Sequence, residues 1–413
     1  MSKQRKSICM IAGGLTEKNF RLQPWRYLSE VARQLANQGH TVTVLTDGGE
    51  GKPAQDMVAG VPVWRLPSVS APLWTRNEPL RTALRATSPD IILWHVGLTS
   101  FLHQQLEGWS EAPVVGIFTS PVYRFGEIAR LGARRVIGGY KLSAVHVLGT
   151  LLPKVRLRHI LRHGVVRQLV VQSHATRERL LAHGVRPEQA TVIVPGIDNI
   201  WSTFEVSRGT EMRAVLGFSS ADTVVLYFGS PAPLRGLHSL IRAVKIARRT
   251  DPSIKLLVLS RRRADELMRE DAELRRLLQE EDVSDYIKVV SAFLDETALV
   301  SHAAACDVAA LPFEIIPSDA PLSLLEAQAL GKPVVTTTVG CLGELVDRGP
   351  SYLAEPANPQ SLANALLQAA VDLRAHNGGF TRPVARSWQQ MGEEWSTLVE
   401  QMTQHTGAQH AFS

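Results

Sequence analysis

The chain has 413 residues, 45% of them hydrophobic and 20% charged, with a net charge of +6, which is the composition of an ordinary soluble globular protein of two or more domains. Three cysteines without short paired spacing argue against a disulfide framework or a zinc site, and they favour a reducing, cytoplasmic compartment. No window reaches the about 18 apolar residues of a membrane-spanning helix, and the first apolar run is too short for a signal peptide.

Short apolar, β-branched runs alternate with longer helical patterns from the start of the chain, which predicts a parallel α/β fold. The first strand is predicted over 7–12, and Gly13 and Gly14 end it. Apolar residues at helical spacing predict a helix over 24–38, followed by a second strand. The remaining strands of this first series are predicted over 90–94, 114–118, 168–172 and 191–194, after the second strand at 41–46.

A second series of strands begins after a stretch that has no strong strand of its own, near residues 200–220. Its members are predicted over 223–228, 254–259, 286–290, 308–311 and 334–338. Two consecutive doubly wound domains follow from this pattern, each with a parallel sheet.

Three junctions in the predicted fold suit a phosphate group. Ligands of parallel α/β sheets bind beyond the carboxyl ends of the strands, where helix N-termini present free N–H groups and a partial positive charge. The junctions are Gly13-Gly14 after the first strand, the Gly-rich segment 229–236, and the segment 317–323 before an apolar helix.

The last junction carries two carboxylates, Asp319 and Glu326, which are seven residues apart. On a helix this spacing places them nearly on one face, about 10 Å apart along the axis. One could accept hydrogen bonds from a nucleotide ribose and the other from a transferred sugar, while the N–H groups of Leu322 and Ser323 face the phosphates. The alternatives are that Asp319 only caps the helix and that Glu326 is solvated, although its apolar neighbours indicate a buried carboxylate that needs partners.

The segment 229–236 ends with Arg235 at the start of a predicted helix. A cation there could neutralise a departing diphosphate, and Gly229 and Ser230 would lie beside it. The alternative is a surface arginine that pairs with a neighbouring residue.

A basic stretch, residues 124–167, holds ten Lys and Arg and a single acid, Glu127. It could contact an anionic membrane surface or an acidic acceptor, or it could be a solvated face. Nucleic acid is not expected, because no binding module or aromatic stacking platform is present.

His95 follows a strand and could reach the ligand crevice beyond the strand ends. The backbone of Gly13 and Gly14 could also approach a ligand there. Structural roles are the alternatives for all three residues.

Several ordered motifs together resemble glycosyltransferase family 4, the retaining nucleotide-sugar transferases of the GT-B fold. They are "RYLSEVARQLANQGHTVTVLTD" from Arg26, "VVQSHATRERLLAHGVRPEQATVIVPGID" from Val170, "VLYFGSPAPLRGLHSLIRAV" from Val225 and the stretch from Cys306 to Val346. The resemblance implies two Rossmann-like domains that face a cleft. It predicts an acceptor-side domain over 1–205, a nucleotide-sugar domain over 206–384, and a helix over 385–403 that packs back on the first domain.

The resemblance also implies roles for single residues. The family's Glu-x7-Glu motif places its ribose-binding second glutamate on Glu326 and its first, sugar-binding glutamate on Ser318, where Asp319 stands one residue away. Its diphosphate-binding Arg-x4-Lys pair falls on Ser230 and Arg235, so one cation is missing and the other is an arginine, whose planar fork differs from an ammonium group. A histidine that the family often carries after the strand at 114–118 is absent.

The implied activity is transfer of a sugar from a nucleoside diphosphate sugar to a hydroxyl of a glycan, glycolipid or small molecule, with retention. The departing phosphate takes the acceptor proton, while Arg235 and the N-terminus at Leu322 stabilise the leaving group. No Asp-x-Asp motif is present, so neither a metal nor another cofactor is expected. One alternative is an inactive GT-B relative that binds a ligand. The other is a nicotinamide oxidoreductase, suggested by Asp47 but lacking Gly-x-Gly-x-x-Gly.

Overall fold

A computed structural model describes the chain in twelve ranges, within which it forms two α/β lobes. The ranges are 4–48, 50–69, 77–97, 112–131, 161, 166–231, 234–260, 267–292, 294–316, 318–346, 349–376 and 380–410. The first lobe carries strands β1 Ser7–Ile11, β2 Thr41–Thr46, β3 Gln55–Val58, β4 Val61–Arg65, β5 Ile91–Val96, β6 Val114–Phe118, β7 Val166–Val171 and β8 Ala190–Val192. The second lobe carries β9 Thr223–Gly229, β10 Ile254–Ser260, β11 Ile287–Val290, β12 Val308–Leu311, β13 Val334–Thr337 and β14 Ser351–Ala354.

Helices flank both sheets. The described helices up to the lobe boundary are α1 Trp25–Asn37, α2 Glu78–Thr87, α3 Phe125–Ala129, α4 His174–Ala182, α5 Ile200–Thr203 and α6 Val206–Val215. Those that follow are α7 Leu237–Ala247, α8 Leu267–Glu281, α9 Glu296–Ala304, α10 Leu322–Ala329, α11 Leu342–Leu345, α12 Pro359–Ala375 and α13 Trp388–His410.

Both sheets confirm the predicted doubly wound α/β fold. The first has the order β3-β4-β2-β1-β5-β6-β7-β8 and is parallel except for β3, and the second is wholly parallel with the order β11-β10-β9-β12-β13-β14. In each sheet the order reverses beside the first strand, because β1 lies between β2 and β5 and β9 lies between β10 and β12. Ligand crevices of such sheets form where the order reverses, so the ends of β1 and β9 mark the expected binding edge.

Every strand predicted from the sequence is present, whereas β3, β4 and β14 were not predicted. The β3–β4 hairpin is short and mixes Gln55, Asp56 and Arg65 into its strands, which breaks the apolar run used to predict the others. Its turn is formed by Ala59 and Gly60, both with positive φ, and such turns suit a two-residue hairpin connection.

Helix α13 returns to the first lobe and completes its core. Trp395 is fully buried there, and its indole N–H donates to the hydroxyl of Tyr27 on α1 (3.1 Å). That hydroxyl donates in turn to the backbone carbonyl of Ile193 (2.9 Å). Helix α13 begins three residues after the start of the helix predicted over 385–403 and continues to His410.

The chain crosses between the lobes twice, and the two crossing segments lie side by side. Ile197 and Ser387 form a parallel bridge, and a Cβ built on Gly196 would lie 2.3 Å from the carbonyl carbon of Ser387. Only glycine permits this close approach of two backbones. The connection between the lobes is thus a pair of segments in backbone contact.

The sequence-based placement of Asp319 and Glu326 on one helical face is wrong. Helix α10 begins at Leu322, with Pro321 as its N-cap residue and no capping side chain. Ala320 has a φ of +49°, which takes the chain out of the helical region just after Asp319. Asp319 therefore lies in a turn before the helix and does not cap it.

Candidate functional site

A cavity of about 160 Å³ lies between the lobes, at the carboxyl ends of β10 and β11. The first lobe contributes Phe20 and Leu22, and the second contributes Ser260, Leu322 and Glu326, with other residues of both lobes. The cavity thus lies at the carboxyl-end edge of the second sheet, next to β9, beside which the strand order reverses.

Glu326 is the carboxylate that helix α10 presents to this cavity. Glu326 is only 5% exposed, and its neighbours Leu324 and Leu325 are buried with it. The expectation that its apolar neighbours hold Glu326 in a buried position is confirmed. The side chain lines the same cavity as Leu322, the first residue of the helix, so a ligand there would meet both a carboxylate and the helix N-terminus.

Four further charged residues line the cavity and were not singled out from the sequence: Arg21, Arg26, Asp198 and Glu296. Arg26 of α1 donates to both carboxylate oxygens of Asp198 (2.6 and 2.8 Å) and also pairs with Glu30 (3.1 Å). Asp198 also accepts from the indole N–H of Trp388 (3.1 Å). Arg26 is thus neutralised by two carboxylates, and it ties α1 to both crossing segments.

Glu296, at the start of α9, faces Asp198 across the cavity wall. The pKa of Glu296 is raised to about 7, mainly by desolvation and next by the hydrogen bond to Asp198. Two carboxyl groups in such a contact must share a proton. The "PGID" motif that ends at Asp198 was the available sequence signal, whereas Glu296 lies in no motif.

Arg235 lies in the loop that connects β9 to α7. A Cβ built on Gly229 would lie 3.4 Å from Nη1 of Arg235, so the guanidinium group lies close to the end of β9. The carbonyl of Ser230 accepts a hydrogen bond from Tyr227 (2.7 Å). Gly236 has a φ of +83°, and a Cβ there would lie 1.8 Å from the carbonyl oxygen of Pro312, so the loop is packed against the segment after β12.

Asp319 is fully buried at a contact between the lobes. The hydroxyl of Ser173, in the first lobe, donates to its carboxylate (2.9 Å to each oxygen). The Asp319 N–H donates to the carbonyl of Thr119 (2.7 Å), as does the hydroxyl of Ser318 (3.2 Å). Burial raises the pKa of Asp319 to about 6 despite the hydrogen bond from Ser173.

His95 reaches the same contact through Thr119. Its Nε2 lies 2.9 Å from Oγ1 of Thr119, the residue that follows β6. Burial lowers the pKa of His95 to about 4, so its imidazole is neutral at pH 7. The structure thus brings His95, Ser318 and Asp319 together through one threonine. Their roles toward a sugar or an acceptor stay predictions.

The turn at Gly13 and Gly14 is held by side chains of its own lobe. The Gly14 N–H donates to Oδ1 of Asp47 (2.7 Å), and the next N–H, of Leu15, donates to the hydroxyl of Thr46 (2.9 Å). A Cβ on Gly13 would lie 3.3 Å from the same Asp47 oxygen. These contacts match the structural alternative, and they occupy the Asp47 carboxylate that a nicotinamide dinucleotide would need for its ribose. Phosphate contact at this turn stays a prediction.

Most of the basic stretch 124–167 lies outside the described residues, which include only 124–131, 161, 166 and 167 of it. Among the described residues no helix is long and apolar enough to span a bilayer. In the same ranges no group of three His, Cys, Asp or Glu side chains is placed to hold a metal ion.

The two lobes match two models of one enzyme class. Residues 25–199 match the family described as Glycosyltransferase Family 4, and residues 222–372 match the one described as Glycosyl transferases group 1. Two facing Rossmann-like lobes with a cleft at their strand ends are the architecture of GT-B glycosyltransferases. The chain belongs to family 4 of these enzymes, so the resemblance read from the motifs is confirmed.

Individual relatives agree with this assignment. The chain is 28% identical to a D-inositol 3-phosphate glycosyltransferase of Saccharomonospora viridis over 84% of its own length and 80% of the relative. Its fold resembles sucrose-phosphate synthase from Thermosynechococcus elongatus (17% identity, TM-score 0.65, 98% of each chain). It also resembles Anabaena HepE in complex with UDP (16% identity, TM-score 0.64, covering 98% of this chain and 100% of that chain).

Proposed function

We propose that this glycosyltransferase moves a sugar from a nucleoside diphosphate sugar to an acceptor hydroxyl with retention at the anomeric carbon. The observation that carries the proposal is the buried Glu326 carboxylate in the cavity between the lobes. A ribose offers two adjacent hydroxyl donors, and a carboxylate accepts both as charge-assisted hydrogen bonds. Anabaena HepE, which shares this fold, is solved in complex with UDP, and this supports a nucleoside diphosphate as the type of ligand.

The remaining groups suit the departing diphosphate. We place the departing diphosphate between the first N–H groups of α10, at Leu322 and Ser323, and the Arg235 guanidinium, which would stabilise the negative charge that it gains. Of these three residues Leu322 lines the cavity. The bond from the anomeric carbon to the phosphate oxygen breaks as the bond to the acceptor oxygen forms on the same face. The acceptor proton passes to the departing phosphate, so no second catalytic carboxylate is required.

The proposal is tested with the whole protein and a panel of UDP-, GDP- and ADP-sugars, by measuring release of the nucleoside diphosphate. Once a donor is found, calorimetry with its diphosphate compares wild type with Glu326→Gln. Because the change removes charged hydrogen bonds, binding should weaken by about 1.5 kcal/mol or more, roughly tenfold. Glu205→Gln, on a glutamate whose side chain is 74% exposed, is the matched control and should bind like wild type.

Two results would contradict the proposal: unchanged binding by Glu326→Gln, or no diphosphate release with any donor. A GT-B relative that binds without transfer is the second candidate, favoured by serine at positions 230 and 318 and by the burial of Asp319. Nucleotide binding without diphosphate release would identify that case.

A further inference from the structure

The second lobe is called the donor lobe here, because the proposed function places the nucleotide sugar on it. Its residues Ser318 and Asp319 meet Thr119 and Ser173 of the first lobe at one buried point. All four are no more than 4% exposed. The hydrogen bonds between them run from a hydroxyl to a carboxylate, from a backbone N–H to a carbonyl and from a hydroxyl to the same carbonyl. The contact therefore fixes the donor lobe on the first lobe both through side chains and through the backbone.

Ser173 has two roles in this contact. Its oxygen accepts the N–H of Thr176 (3.1 Å), which caps helix α4, while its hydroxyl hydrogen goes to Asp319. The start of α4 is thereby linked to a carboxylate that lies 146 residues further along the chain. Any rotation of the donor lobe away from α4 breaks this bond, whereas the cap within the first lobe can remain.

A second donor-lobe carboxylate reaches the same end of α4. Glu344 accepts the N–H groups of His174 (3.2 Å) and Ala175 (2.8 Å). With Asp319 it places two acidic groups at the N-terminus of a nine-residue helix, where the partial positive charge attracts them. Both contacts act in the same direction, toward closure of the lobes.

The chemistry of the contact suits alignment better than permanent attachment. A buried carboxylate loses hydration that it regains when the lobes separate, so the net gain from such a contact is small, and its geometry is what it determines. Interfaces between domains of one chain are generally polar and allow relative motion. The contact thus defines one closed arrangement that can open again.

We propose that Ser173 and Asp319 are a positioning pair that sets the closed alignment of the two lobes for transfer. In this role Asp319 acts through Ser173, and it does not touch the donor sugar. The kinetic part of the test rests on the proposed function, but the structural part does not.

The structural test measures the distance between the lobes in the full chain by pulsed electron resonance of spin labels. Labels are attached at Glu188→Cys and Arg276→Cys, two positions with largely exposed side chains (64% and 79%), while the native cysteines are buried. Ser173→Ala should broaden the distribution toward longer distances, and Ser173→Thr, which keeps the hydroxyl, should restore it. Asn77→Ala removes the cap of α2 in the same lobe and controls for the lost cap of α4.

The kinetic test separates alignment from sugar binding. With Ser173→Ala we expect kcat to fall about tenfold or more, with the donor KM within about twofold, and Ser173→Thr should recover most of kcat. The inference would be overturned if Ser173→Ala changed neither the distance between the lobes nor kcat. It would also be overturned if Asp319→Asn raised the donor KM while Ser173→Ala left kcat and the donor KM unaffected. If wild type transfers no sugar, the proposed function fails, and the distance measurement still decides the alignment role.

Discussion

Glu326 and Asp319 are close in sequence, but their surroundings assign them different tasks. Glu326 lines the cavity between the lobes, whereas Asp319 has no exposed surface and is bonded to Ser173. The apolar neighbours of Glu326 were sufficient to predict its burial. The partner of Asp319 could not be predicted, because it comes from another lobe and the local sequence carries no trace of it.

The burial of Asp319 makes the stability of the protein depend on pH. Its pKa is about 6 in the folded protein and 3.8 when solvated, so the folded state binds the proton more tightly and stability is lost as the pH rises through 6. Asp319→Asn removes this penalty. From pH 4.5 to 7.5, the free energy of unfolding of the variant relative to wild type should rise by about 2 kcal/mol.

Urea unfolding at the two pH values measures this difference. Asp251→Asn is the control, because desolvation there is outweighed by hydrogen bonds from Ser253 and Arg374 that lower the Asp251 pKa below 3.8. The contribution of a carboxylate with a lowered pKa is already nearly complete at pH 4.5, so the free energy of unfolding of this variant relative to wild type should stay nearly constant from pH 4.5 to 7.5. A difference between Asp319→Asn and wild type that does not change with pH would contradict the assignment of a raised pKa.

Among the elements, the strands were predicted best, because fully buried parallel strands leave continuous apolar runs in the sequence. The start of α10 was predicted less well, since the positive φ of Ala320 has no signal comparable with a glycine. The cavity wall was predicted in part. Leu322 and Glu326 were predicted as site residues from the segment around the start of α10. Arg26 and Glu296 were not, because they belong to helices whose sequences show only ordinary amphipathic or capping patterns.

The loop from β9 to α7 depends on a single glycine. Gly236 combines a positive φ with contact to the carbonyl of Pro312, so Gly236→Ala would need both backbone strain and a shift of the segment after β12. We expect it to lower the free energy of unfolding by at least about 2 kcal/mol and to displace Arg235. Chemical denaturation measures the loss.

Gly343→Ala is the matched control for that substitution. Gly343 lies in α11 with open space around its Cα, so alanine should be neutral or stabilising by up to about 1 kcal/mol. Equal stability of Gly236→Ala and wild type would show that the loop relaxes freely and that Gly236 does not fix the position of Arg235.

At the scale of the whole molecule, the two lobes are not consecutive pieces of chain. Helix α13 follows the second lobe in sequence but fills the core of the first, where Trp395, Met391 and Val399 are fully buried. The strand pattern places the boundary near residues 200–220, and only the family resemblance predicted a boundary at 205 and a last helix that returns. Trp388 and Trp395 lie seven residues apart in α13, but the sequence around them does not indicate the first-lobe residues against which they pack.

This arrangement predicts that residues 1–205 alone will not fold into a stable monomer, because Tyr27 and the apolar face of α1 would be exposed. The two crossing segments touch, and Arg382 donates to the carbonyl of Ser202 (3.0 Å), so a flexible linker of roughly six residues can join 1–205 directly to 385–410. The joined chain should be monomeric by size-exclusion chromatography and show a cooperative thermal transition. Trp395→Asp in the joined chain should abolish both, since it places a charge beside Tyr27 in the core. A stable, monomeric 1–205 fragment would show that α13 covers the first lobe without completing it.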